Sequence, residues 1–246
     1  MTQPRFEPAR VLRRLEAVPE PAMCLAIWRE LFDQAPPMTV FAAADAALMA
    51  GRARRPGGQV ALLSLMQFME SAREQAIRVL LPAATVTGHA ELLSLLADGE
   101  PARVAAGELP GAPTGDEERE FTLGERRAQA RSPDRHVLDR LLLDQDPGVI
   151  FQLLQNPKLL ERDVLRLVSR RPTGVGVLRA VFRHRKWGRQ RVIQGALVQN
   201  PYTPLEIGLG LVGLLDQDTL RRVSRDTTLH LVLQEGARGC LRAGAS

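Results

Sequence analysis

Two phrases in this chain are written twice, and the copies constrain its fold more than any other feature. Leu197-Val-Gln199-Asn200-Pro201 echoes Leu153-Leu-Gln155-Asn156-Pro157, 44 positions earlier. Asp218-Thr-Leu220-Arg221-Arg-Val223-Ser224-Arg225 echoes Asp163-Val-Leu165-Arg166-Leu-Val168-Ser169-Arg170, 55 positions earlier. Repetition at a few tens of residues, with helical spacing of apolar positions between copies, marks stacked helical units that bury their faces against one another. Ser132-Pro133, Asn156-Pro157, Arg171-Pro172 and Asn200-Pro201 punctuate the helices, because proline disfavours helical geometry in the residue before it.

Composition agrees. Aromatic residues make up only 4 % of the 246 residues, so the core must come from Leu, Val and Ala, which suits short helices packed closely. The fold class predicted is all-α. Residues 7–98 read as five or six short helices. Pro21 opens one, Pro36-Pro37 stops the chain before a helix over 39–49, and Pro82 is expected to close another. Arg52–Gly58 reads as a basic turn containing helix-breaking glycines. Met66, Phe68 and Met69 lie at core spacing. Residues 100–120, rich in glycine, proline and acid, read as a linker, with some helix expected around Ala102–Ala106.

Beyond the linker, Thr203, Pro204 and Glu206 form a helix start: a cap, a first-turn proline and the third-position acid of a capping box. The helix over 205–215 is nearly all apolar, so neighbours must cover both its sides. Asp144-Gln145-Asp146 and Asp216-Gln217-Asp218 each end one helix and cap the next. On the Asn-Pro turns and apolar spacing, residues 123–241 resemble the HEAT-like and variant leucine-rich repeat α-solenoid proteins of bacteria. That resemblance implies stacked antiparallel helices offering a binding surface, with no single activity attached. The expected organisation is a bundle-like helical module over 1–99, a linker over 100–120 and a HEAT-like α-solenoid over 121–246.

Charge is distributed unevenly. Up to Thr122 the chain carries 12 basic and 16 acidic residues; from Leu123 onward it carries 21 and 12. Between Asp163 and Glu206 there is no acid, and nine basic residues crowd the interval. Arg179, Arg183, Arg185, Lys186, Trp187, Arg189 and Arg191 are the predicted partner-binding residues. A guanidinium fork suits carboxylates and phosphates, and Trp187 could stack on a base or cover an apolar partner. The function expected is that of a non-enzymatic adaptor or scaffold binding an acidic protein. The alternative is nucleic-acid binding, including a likeness to the HEAT-like glycosylases that remove alkylated purines, which need a catalytic Asp and stacking tryptophans. The basic window supplies one tryptophan and no acid. Its bland reading is a solvated helix face whose arginines neutralise neighbouring acids.

Other constellations point to structure. Gly208, Gly210 and Gly213 match G-x-G-x-x-G, but they fall inside a helix with no preceding strand, so they read as a thinned helix for close packing. His89, His136, His184 and His230 share no ligand spacing with Cys24 or Cys240, and neither a metal nor another cofactor is expected. No nucleophile elbow or Cys-x-x-Cys occurs. Two distant cysteines, no signal-peptide core at the start and no long apolar run give the expectation of a cytoplasmic protein with reduced thiols.

Overall fold

A computed structural model describes residues 6–18, 20–53, 55–97, 99–104 and 121–243. Fifteen α-helices and no strand occur among them. They are α1 (Pro8–Ala17), α2 (Pro21–Gln34), α3 (Pro37–Arg52), α4 (Pro56–Ser71), α5 (Arg73–Thr87), α6 (Ala90–Leu96), α7 (Leu123–Gln129) and α8 (Arg135–Leu141). The chain continues with α9 (Pro147–Leu154), α10 (Glu161–Ser169), α11 (Val175–Arg183), α12 (Arg191–Val198), α13 (Leu205–Val212), α14 (Gln217–Arg225) and α15 (Leu231–Ala243). The all-α reading therefore holds. Helices α1 to α4 and α9 each begin on a proline, where the missing N–H is one that no helix can satisfy anyway.

The helices fall into two compact units: residues 1–99 with 205–246, and residues 100–204. This differs from the expected boundary, which kept 121–246 together. Helix α13 packs on α4, α6 and α15, so the last three helices complete the core begun by the first six. The expected linker lies mostly in 105–120, outside the described residues. Arg103, just before it, donates its main-chain N–H to the Pro201 carbonyl at 3.0 Å.

The first unit is built around α4, in which every residue from Ala61 to Glu70 is buried. Helices α1, α2, α3, α5 and α13 all pack against it, which explains how a helix can be apolar on every side. The Trp28 indole is buried and donates to the Ser64 hydroxyl at 2.9 Å, which donates in turn to the Ala61 carbonyl at 2.9 Å. Met66, Phe68 and Met69 are core side chains, as their spacing indicated.

Glycine makes this packing close. A β-carbon on Gly58 would lie 2.5 Å from the Ala50 main-chain carbonyl, and one on Gly210 would lie 2.0 Å from the Met66 methyl. Gly57 and Gly58 thus belong to the first turn of α4, not to a breaking turn. Gly210 and Gly208 thin α13 against Met66 and Leu233, as the failed dinucleotide fingerprint suggested. Pro82 does not end its helix. It sits inside α5 on an exposed turn with Arg78, so the Arg78 carbonyl that loses its donor is left to water rather than buried. Gly88 ends α5 instead, in the left-handed conformation at φ 65°. Neither cysteine forms a disulfide.

In the second unit α7 packs on α8, α8 on α9, α10 on α11 and α11 on α12. Along one row α7 packs on α9 and α9 on α11; along the other α10 packs on α12. The repeated asparagines tie these rows. Asn156, after α9, donates its amide to the Ala130 and Ser132 carbonyls at 2.9 and 2.8 Å, at the end of α7. Asn200, after α12, does the same to Val168 and Arg170 at 2.6 and 3.1 Å, at the end of α10. Each Oδ1 accepts the N–H two residues on, from Lys158 or Tyr202. One sequence phrase thus performs one job twice.

The second echo does not. Asp163 is buried and grips Arg135 of α8, while Asp218 is exposed and pairs with Arg221 of its own helix. Helix α13 also stops at Val212, three residues short of the expected end. The Thr203 hydroxyl donates to the Leu197 carbonyl at 2.6 Å, so it is a tether for the end of α12. Asp146 and Asp216 cap α9 and α14 as expected, accepting from Val149 and Thr219.

Candidate functional site: a basic connection between two helices

The nine basic residues of the acid-free window have different fates. Arg166 reaches Asp139 at 3.4 Å, Arg170 reaches the Leu142 carbonyl at 3.4 Å, and Arg171 reaches the Gln199 carbonyl at 2.5 Å. These three serve the packing between helices. Upstream, Arg126 pairs with the fully buried Asp144 at 2.6 Å, and Arg135 holds the Asp163 carboxyl below the usual carboxylate range. A buried carboxylate needs such a partner because desolvation alone would push it the other way.

The remaining six cluster on α11, on α12 and on the connection between them. Arg183, Arg185, Lys186 and Arg191 are exposed, whereas Arg179 and Arg189 are half-buried. Helix α11 ends at Arg183, so Lys186 lies beyond it and shares no helical face with Arg179 and Arg183. It precedes a 3-10 turn formed by Trp187–Arg189. Ala180 and Val181 face the core.

Trp187 departs most from expectation. Only 1 % of it is exposed, and its indole donates to the Leu154 carbonyl of α9 at 3.0 Å. The ring is an anchor and cannot stack on a base or cover a partner. Lys186 lies over that ring, its ammonium 3.9 Å from the centroid, which holds the tip of a long flexible side chain.

The connection is pinned by several bonds. His184 Nδ1 accepts the main-chain N–H of both Lys186 and Trp187 at 3.3 Å. The His184 carbonyl accepts from Gly188 at 3.0 Å, and buried Gln194 of α12 donates to the Gly188 carbonyl at 3.0 Å. Burial, with Lys186 adding to it, holds the His184 imidazole below its ordinary value. Sequence reasoning found no ligand spacing for His184 and missed its capping role. The signal was present: His89 and His230 also stand just before helices, and their Nδ1 atoms accept from Leu92 and Val232. An imidazole nitrogen satisfies a helix-start N–H that the helix cannot.

No group of three or more His, Cys, Asp or Glu that could hold a metal occurs among the described residues. No described helix is long and apolar enough to cross a membrane. Compared with protein-family models, curated proteins and solved structures, the chain shows no significant match.

Proposed function

We propose that the protein is a non-enzymatic adaptor whose second unit, read as a HEAT-like repeat array, presents the α11–α12 connection to an acidic surface of a protein partner in the cytoplasm. The observation that carries this reading is the exposure of Arg183, Arg185, Lys186 and Arg191 on a short pinned connection, within a stretch from Val164 to Leu205 that has no carboxylate. Arg126 and Arg135, by contrast, serve buried acids, and Arg170 and Arg171 serve carbonyls. These four stand at the surface on a backbone already ordered, so a partner would not have to order that backbone on binding.

Burial of Trp187 weighs against the nucleic-acid alternative, because it removes the one aromatic that the window offered for stacking. The same absence of an acid beside a stacking ring weighs against a glycosylase-like activity.

The test is capture from lysate by the full chain, with and without nuclease, compared with the triple change Arg183→Glu, Arg185→Glu, Arg191→Glu. This variant leaves Lys186 on its ring and the half-buried Arg179 and Arg189 in place. Nuclease-resistant capture that the triple change reduces at least tenfold, with helicity retained, is the expected result. Capture that survives the reversal would make the connection merely solvated surface, and capture abolished by nuclease would favour nucleic acid.

A further inference from the structure

The α11–α12 connection is held by an acceptor that a proton can remove. His184 Nδ1 receives two main-chain N–H groups, those of Lys186 and Trp187, and an imidazole nitrogen accepts only while it carries no proton. The ring also lies face to face with the Trp187 indole, 6.2 Å between centroids and 28° between planes. It is half-buried at the end of α11. We infer that His184 is a proton-operated latch: neutral, it closes the 3-10 turn that sets Arg185 and Lys186; protonated, it turns from acceptor to donor and releases that turn.

The surroundings give the imidazolium no compensation. Its own connection carries Arg183, Arg185 and Lys186; the 3-10 turn carries Arg189; α12 carries Arg191; and α9 carries no charged residue. Helix α10 carries Glu161, Arg162, Asp163 and Arg166, of which Asp163 is engaged by Arg135 and Arg166 by Asp139. Lys186 is the charge that acts on the ring, and it opposes protonation.

The sign follows. The folded-state value lies below the ordinary histidine value of about 6.5, so the latch contributes its full stability above that pH. The contribution is lost as pH falls through the folded-state value. Trp187 Nε1 on Leu154 and Gln194 on Gly188 keep their bonds, so release is confined to the segment between them. That regulation matters to partner binding only if the basic connection is the binding surface, as proposed above; the latch itself stands apart from that reading.

The experiment is a pH titration of the full isotopically labelled chain by NMR, from pH 7.5 to 5, with His184→Asn as companion. Asparagine keeps an oxygen acceptor and has no proton to gain. In the native chain, His184 is expected to carry its neutral-form proton on Nε2 and to titrate below the ordinary histidine value. The Lys186 and Trp187 amides should shift with the same midpoint and exchange with solvent at least tenfold faster than in the variant below that midpoint, and at equal rates above it. A proton on Nδ1 at pH 7.5, or amides that stay unmoved while His184 titrates, would overturn the latch. The native spectra decide this alone if the variant fails to fold. Retention on immobilised poly-aspartate at pH 7.5 is measured in parallel. If retention is absent while the amide step is present, the surface reading fails and the latch stands.

Discussion

At the scale of single residues, the two Asn-Pro asparagines are the most informative letters in the second unit. Asn200 closes three hydrogen bonds, two to carbonyls at the end of α10 and one from the main chain of Tyr202. It is almost wholly buried, so its partners cannot turn to water. Asn200→Ala should destabilise the second unit by about 1–3 kcal/mol, since it strands the buried Val168 carbonyl and the Tyr202 N–H, while the Arg170 carbonyl keeps the Thr173 hydroxyl. Thermal unfolding of native and variant chains checks this. Asn156→Ala should behave alike, because it makes the same kind of bonds between the ends of α9 and α7. These roles were legible in the echo itself. The role of Trp187 was not, because a tryptophan among arginines has the same letters whether it lies on the surface or reaches the Leu154 carbonyl. Nor could the repeated Asp163 and Asp218 be told apart, since one is buried against Arg135 of another helix and the other is exposed and pairs with Arg221 of its own.

At the scale of elements, helix starts were the best-read features and glycine placements the worst. Prolines and Asp caps mark where a helix starts by local chemistry, and Pro21, Asp146 and Asp216 did so here. Pro82 misled because a proline is tolerated when the carbonyl it orphans faces solvent. Gly57 and Gly58 look like a turn on paper because sequence does not say what approaches them. In the fold, α3 passes so close to α4 that its Ala50 main chain occupies the space a side chain on Gly58 would need. Gly58→Ala should therefore cost about 2–4 kcal/mol despite its gain in helix propensity of about 1 kcal/mol. Gly210→Ala meets only the flexible end of Met66 and should cost less. Denaturant midpoints of the two variants rank them; an equal or reversed order would mean that α3 can shift away from α4.

At the scale of the whole molecule, the first unit is assembled from two separate stretches of chain, 1–99 and 205–246. A change in charge balance near residue 122 suggested a boundary there, but charge follows surface while unit membership follows the core. The apolar covering of α13, foreseen from its sequence, came from α4, α6 and α15, and so in part from the start of the chain. Gly99 and Leu205 are neighbours in space: a β-carbon on Gly99 would lie 2.8 Å from that of Leu205. Joining residue 99 to residue 205 by a short Gly-Ser linker, with 100–204 removed, should therefore give a folded helical unit with a cooperative melt. Residues 1–99 alone should lack dispersed side-chain NMR signals, because Met66 and Leu62 lose the cover of α13 and its following turn.

That interruption sets an order of events on the ribosome. Once residue 99 has emerged, the helices around α4 must wait for the stretch from Glu100 to Pro204, on the order of 5–20 s at ordinary elongation rates. During that interval one flank of α4, rich in leucine and methionine, has nothing to lie against, and it is the natural station for a chaperone. The inserted unit has all its pieces by then, so it can finish first, while the unit that begins the chain is the last to close.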